Sequence, residues 1–303
     1  MTLRAILRRL TDHGPANQQE PGPFGPEQSA YVLERAYVPE HIPGLMAGIS
    51  HATPLLVGDF LCFAAEDSLI FVGYPLEGEA TAGRCAAAVT EARSRLKPHV
   101  LWFIGPQIPP DLEDGCRDRQ SDVYYRLELP ASVKPSARRA ARSAAAALTV
   151  HAGRVFGPEH QAVTDELLAR QPLPPMVVAL YRSMPGYVGR TASATVLEAR
   201  TPSGALAAYF VVEEAARAFD AYVLGAFSRR DYVPYASDLL FATMIERAQA
   251  RGKPALDLGL GVNDGIRRFK EKWGGQPYLA YESCECRFDR GADIIDGLSE
   301  LRV

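Results

Sequence analysis

Two distant stretches of the chain spell out the same order of elements. In the first, Asp59 to Ala65 and Leu69 to Tyr74 form a strand pair across the turn AEDS. An alanine-rich helix covers Ala80 to Leu96, Lys97-Pro98 stops it, and the apolar run HVLWFIG follows. In the second, Thr191 to Arg200 and Ala205 to Glu213 pair across TPSG, and Ala218 to Phe227 adds a third strand. A helix covers Ala236 to Arg251, RGKP ends it, and ALDLGL follows. Apolar runs joined by a short polar turn read as hairpins. Proline pushes the residue before it out of helical space. An unbroken apolar run fits a strand buried on both faces. A chain that writes this order twice is expected to build two similar mixed α/β lobes by tandem duplication. The sequence divides accordingly into an arm at 1–29, a first lobe at 30–133 and a second at 134–303.

The remaining elements fit between these anchors. Residues 11–29 are rich in Pro, Gly and Gln and read as a flexible arm, with one short basic helix before them from Leu3 to Leu10. Residues 106–121 read as a loop and YYRLELP as a strand. KPSARRAARSAAAALTV, 134–150, reads as a helix that clusters Arg138, Arg139 and Arg142 on neighbouring turns. A further helix runs from His160 to Arg170, and Pro172, Pro174 and Pro175 break the pattern after it.

Several functions are disfavoured by composition and motif. A net charge of -3 over 303 residues argues against a general polyanion binder. No apolar run approaches the roughly 18 residues of a membrane span, and MTLRAILRRL lacks a signal peptide's apolar core. The five cysteines are an odd, scattered set, which points to free thiols in a reducing cytoplasm. Cys284 and Cys286 share one strand face but lack two further metal ligands at motif spacing. GxSxG is absent, and the six histidines lie within the first 160 residues without a paired metal motif. Nucleophilic hydrolysis is therefore a poor reading.

Three constellations could carry chemistry. The first is 228-SRRDYVPYASDLL-240, where a strand feeds a helix. Such a helix start presents free N–H groups and the positive end of the dipole. Arg229 and Arg230 lie just upstream, and Ser237 could cap the helix or meet a phosphate. The second is 255-ALDLGLGVNDGIRRFKEKWGG-275. Asp257 lies inside an apolar strand and needs a partner or an open strand end. Gly259, Gly261 and Gly265 are out of order for a dinucleotide loop. From Gly265 to Trp273 the spacing of Ile266, Phe269 and Trp273 marks a helix with one apolar face. Lys270 falls on its flank, and Arg267, Arg268 and Lys272 spread over the rest, as either a solvated face or a site. The third is Tyr278, which enters a strand after Gly274-Gly275 and Pro277. It is either a packing residue or a phenol at a ligand-facing strand end.

Taken together, the basic helix KPSARRAARSAAAALTV, the hairpin, PYASDLLFATMIERAQARGKPALDLG and GIRRFKEKWGG before a Tyr-bearing strand resemble the GNAT-type acyltransferases. The likeness is to the tandem-lobe branch that includes the Fem-type peptidoglycan aminoacyltransferases. It covers residues 134–285 well and the first lobe by layout, and RFKEKWGG is its most specific part. It implies two mixed α/β lobes with central, mostly antiparallel sheets splayed open in the middle. The helix of the first lobe begins near ATAGR without an arginine-rich lead-in, so that lobe is expected to be a scaffold and the second to hold the working site. It also implies that donor phosphates lie at the helix start from Tyr235 through Ala236, Ser237 and Asp238 to Leu239, beside Arg229 and Arg230. Lys270 and Lys272, with Arg267, would face the cleft and hold an anionic group. Tyr278 would protonate the leaving group, with Asp257 as the third catalytic candidate. The reaction implied is direct attack of a small-molecule or peptide amine on an activated acyl group. The donor would be a coenzyme A thioester, with no permanently bound cofactor and no metal. The loop RRDYVPYAS departs from the family's phosphate loop, since it has Ala236 at the last small position and no glycine. That leaves an aminoacyl-tRNA donor open, and also a silent lobe pair that binds a ligand or partner.

Overall fold

A computed structural model describes residues 24–288. The arm expected over residues 1–23, with its helix from Leu3 to Leu10, lies outside the described residues. The chain forms two compact units, Gly25–Ala52 with Asp122–Leu279, and Thr53–Ser121 with the strand that continues from Ala280. This grouping by contact is interleaved, whereas the lobes drawn above follow chain order. The first unit opens with α1 (Pro26–Arg35) and α2 (Pro43–Ser50), each with proline in its first turn. There a missing N–H costs nothing. Pro26 to Ser29, placed in the arm from sequence, are thus helical.

The second unit follows with β1 (Thr53–Val57), β2 (Phe60–Ala65), β3 (Ser68–Val72), α3 (Ala82–Leu96), β4 (Val100–Gly105) and the short α4 (Pro110–Glu113). β1, β2 and β3 are antiparallel, and β4 lies parallel to β3. Thr81 caps α3 by accepting from the Arg84 N–H, and Lys97 ends it in the left-handed region before Pro98.

β5 (Arg117–Glu128) starts earlier than expected, because its first residues are polar and exposed. α5 (Pro135–Ala145) ends before the predicted boundary, and the last residues of that run enter an edge strand, β6 (Thr149–Gly153). α6 (Pro158–Arg170) is followed by α7 (Pro175–Arg190), which the sequence reading missed. Pro175, a breaker by its place in the sequence pattern, occupies the helix start. Then come β7 (Ala194–Arg200), β8 (Leu206–Glu213), β9 (Asp220–Phe227), α8 (Ala236–Ala250), β10 (Ala255–Leu260), α9 (Asp264–Lys272) and β11 (Gln276–Arg287).

Among the described residues of the first unit the strand order is β5-β10-β9-β8-β7-β6, and only β9 and β10 run parallel. β8 is buried along its whole length. Its alternating side chains feed two cores: Phe210 and Val212 pack with α5 and α8, while Tyr209 and Val211 pack with α6 and α7. Among the described residues no helix is long and apolar enough to cross a membrane.

Both units therefore write three antiparallel strands, a helix, and a strand parallel to the third. They differ in one respect. β3 and β4 stay paired from Ser68↔Val100 to Val72↔Ile104, and the Gly73 N–H extends the ladder to the Ile104 carbonyl. β9 and β10 pair only at Leu256↔Asp220 and Asp257↔Ala221.

Candidate functional site

The short pairing of β9 and β10 has a local cause. The register of β10 against β5 shifts between Asp257 and Leu260. Gly259 sits there at φ +70°, a conformation open to glycine at little cost. Its N–H turns back to donate to Asp257 Oδ1 at 2.8 Å. Asp257 thus stands at the last paired position, where the two strands part company.

This carboxyl is buried at 2% exposure. Burial pushes its pKa up to about 7; the Gly259 N–H opposes that, Glu40 adds to it, and Lys270 and Arg126 pull it down. Lys270 is the mirror case. Burial pushes its ammonium down to about 8, against the pull of Asp257 and Asp122. Its Nζ donates to the Leu260 carbonyl and lies 5.6 Å from the centre of the Tyr125 ring. Of the two readings of Lys270, a solvated face or a site, burial removes the first, for it is the buried residue of α9. Glu40, from the turn before α2, is also raised by burial, with Tyr124 opposing.

The segment GIRRFKEKWGG positions these groups. Asn263 caps α9 by accepting from the Ile266 N–H at 3.0 Å. Gly274 ends it at φ +96°. The Gly274 N–H donates to Glu271 O and the Gly275 N–H to Lys270 O, the paired bonds of a glycine-terminated helix. Phe269 and Trp273 pack on Phe241 of α8.

That packing brings the end of α9 to the start of α8. Asp238, in the first turn of α8, accepts from Lys272 Nζ at 2.6 Å and from Trp273 Nε1 at 2.9 Å. Tyr235 is the N-cap residue, at φ +66°, and no side chain caps the helix. Ser237 therefore does not serve as the cap. Tyr235 is exposed, with Lys272 Nζ 5.8 Å from its ring, while Ala236 is buried and Leu239 packs against the core. Arg229 and Arg230 are exposed upstream. Glu166 holds this loop by accepting from the Arg229 N–H at 2.7 Å.

Tyr278 is exposed in β11, with the Arg126 guanidinium 5.0 Å above its ring. Arg126 is also the register partner of Asp257 and pairs with Glu128 at 2.7 Å. A cavity of about 380 Å³ opens here, lined among others by Arg126, Ser132, Gln276 and Tyr278. A larger one, about 520 Å³, is lined by Glu34, Arg217, Arg251 and Lys253 and holds none of the candidate residues. Its cations pair with Glu34, Glu214 and Asp220.

Asp257 and Lys270 are thus brought together, and Arg126 links Asp257 to Tyr278. Tyr235, Asp238 and Lys272 form a second group. Arg267 stands apart, 3.8 Å from Asp122 and 3.6 Å from Asp264. Sequence reasoning missed Arg126 and Glu40. Arg126 carried a signal, a charge inside the strand YYRLELP. Glu40 carried none.

No family model matches the chain, and no curated protein matches it. Solved structures do. The L-PGS of Bacillus licheniformis is similar with a TM-score of 0.56 at 15% identity, over 93% of this chain and 98% of that one. FemX gives 0.58 at 12% identity, over 84% and 94%. A tandem GNAT protein from the clavulanic acid biosynthesis pathway gives 0.51 at 15%, over 88% and 96%. The chain has the GNAT fold, with Fem-like proteins among its structural neighbours. The mixed α/β class expected from the order of elements and the mostly antiparallel sheet that the resemblance implies are the ones observed.

Proposed function

We propose that the chain is an N-acyltransferase, moving an acyl group from an activated donor to an amine by direct attack. The observation that carries the reading is the contrast between the two parallel strand pairs. β3 and β4 remain zipped, whereas β9 and β10 separate at a buried carboxyl whose pKa burial pushes up to about 7. An opened pair gives a donor room to enter the sheet, so the first unit holds the working site and the second acts as scaffold.

The amine's lone pair attacks the acyl carbon. The carbonyl oxygen gathers charge, which backbone N–H groups facing the acyl carbon stabilise. Asp257 takes the proton that the amine sheds, a role suited to a carboxyl raised to about 7. Lys270 holds an anionic part of a substrate, and Tyr278 protonates the leaving group. Arg229 and Arg230 contribute positive charge around the donor, whereas the charge of Arg267 is met by Asp122 and Asp264.

One observation weighs between donors. Asp238 already sets a buried negative charge against the first turn of α8, and the loop has no glycine. A pyrophosphate would meet that carboxylate and a bulky N-cap. This favours aminoacyl-tRNA over a coenzyme A thioester, with Arg138, Arg139 and Arg142 exposed on α5 for its backbone. The acceptor is a small-molecule or peptide amine, and the setting is cytoplasmic.

The test supplies labelled aminoacyl-tRNA or labelled acetyl-CoA with a panel of amines. The expected result is a labelled amide from aminoacyl-tRNA, formed about 100-fold more slowly by Tyr278→Phe. No amide from either donor would favour a silent ligand-binding protein instead.

A further inference from the structure

Phe227, the last residue of β9, has two guanidinium groups over its ring. Arg170, at the end of α6, lies with its Cζ 4.5 Å from the ring centre, and Arg229, from the loop after β9, lies at 5.5 Å. An aromatic face attracts one cation, but two like charges beside one ring repel each other. Glu166, the acid that draws on Arg170, is already engaged. It accepts from the Arg229 backbone N–H at 2.7 Å and from the Ser228 hydroxyl at 3.3 Å. The Arg170 Nη1 is buried and has no hydrogen-bond partner among the described residues. A buried donor without an acceptor is costly and calls for an explanation. The negative end of the α6 dipole favours a cation at Arg170 but leaves that nitrogen unmatched.

Burial and the neighbouring Arg229 push the Arg170 pKa down, yet a guanidinium keeps its proton at any ordinary pH. Arg230 follows, exposed. Tyr232 is 54% exposed and stands edge-on to Phe227, with ring centres 6.0 Å apart. Unmatched arginines beside an open aromatic ring are the combination that takes a phosphate and stacks a base.

We propose that Arg170 and Arg229 clamp a backbone phosphate of a single-stranded RNA end, with Tyr232 stacking the adjoining base. A phosphodiester set between the two guanidiniums relieves their repulsion and gives the Arg170 Nη1 its acceptor. The single strand follows from Tyr232, because duplex bases are stacked on one another and none is free to lie on a tyrosine. The loop runs on from Arg229 to α8, so a strand held at Phe227 has its end beside the donor site proposed above. That the strand is the 3′ end of aminoacyl-tRNA rests on that reading; the clamp itself does not.

The test measures, by fluorescence anisotropy over a range of salt, how the full-length protein binds a labelled single-stranded RNA of about eight nucleotides ending in CCA. The unaltered protein should bind it more tightly than the same sequence in a duplex. Arg170→Met keeps an apolar stem over Phe227. It should weaken binding about tenfold and lower the slope of log affinity against log salt by about 0.7. Tyr232→Leu should weaken binding about tenfold and leave that slope unchanged. Free Arg170→Met should melt no lower than the unaltered protein, because it discards a donor that had no partner. Arg229→Gln, at an exposed position, supplies the same loss of affinity and slope should Arg170→Met disturb the fold. Unchanged affinity and slope in the arginine variants, equal binding of the duplex, or no binding by the unaltered protein would overturn the proposal. Binding is read without acyl transfer. If the clamp fails while aminoacyl-tRNA still yields an amide, this inference falls alone; if the clamp holds and no amide forms, the acyltransferase reading falls alone.

Discussion

Lys272 and Asp238 meet at 2.6 Å, and this bond ties the last turn of α9 to the first turn of α8. Trp273 reaches the same carboxylate oxygen. Asp238 is buried, whereas Lys272 is about one-third exposed. Removing the acid strands an indole N–H and an ammonium, so Asp238→Ala should cost about 2–3 kcal/mol. Lys272→Ala should cost only about 1 kcal/mol, because solvent screens the lost charge. Urea unfolding of both variants checks the ranking. Equal losses would mean that the bond does not organise the helix start.

Asp257 and Lys270 make stability depend on pH in opposite directions. The folded pKa of Asp257 lies above its unfolded value, 3.8 against about 7. The folded state keeps a proton that the unfolded chain has lost, so this group erodes stability as pH climbs from about 4 to about 7. The folded pKa of Lys270 lies below its unfolded value, about 8 against 10.5. Here the unfolded chain holds the extra proton, and stability recovers as pH climbs from about 8 to 10.5. Melting curves across pH should show Asp257→Asn flattening the lower window and Lys270→Met the upper. Unchanged slopes in both variants would contradict the burial argument.

Gly274 combines a left-handed backbone with a crowded neighbour. A Cβ there would stand 3.1 Å from the Ser132 carbonyl oxygen, whereas one on Gly252, also at positive φ, meets nothing within 4 Å. Gly274→Ala should therefore cost about 2 kcal/mol and Gly252→Ala about 1 kcal/mol. Parallel denaturation of the two variants measures the difference, and equal costs would remove the contact from the account.

The donor preference predicts unequal thermal shifts. A ligand that binds only the folded chain raises the melting temperature with its concentration. Aminoacyl-tRNA should raise it and free coenzyme A should leave it unchanged. Asp238→Asn, which removes the opposing charge, should let coenzyme A produce a shift. A shift of the unaltered protein with coenzyme A would return the thioester to first place.

Much of the fold was legible because it rests on local rules. The Lys-Pro stops, the hairpin turns and the Gly274-Gly275 ending of α9 each follow from backbone sterics and stand where the residues put them. The opening half of β5 did not show, because RDRQS is polar and strand through pairing alone. α7 hid behind Pro175, whose meaning reverses between a helix interior and a helix start. Site residues were harder. The pattern put Lys270 beside an apolar stripe, but its burial involves another element, β10, whose Leu260 carbonyl its Nζ meets. Glu40 comes near Asp257 through tertiary packing, which no spacing in one sequence encodes.

The most direct test of the central claim, a donor site where β9 and β10 separate, is hydrogen–deuterium exchange with and without aminoacyl-tRNA. Slowed exchange is expected in the peptide from Tyr235 to Leu239 and in the one from Asp257 to Val262. Gly73 to Thr81, the matching end of the zipped pair, should be unaffected. Protection at Gly73 to Thr81, or at neither place, would contradict it.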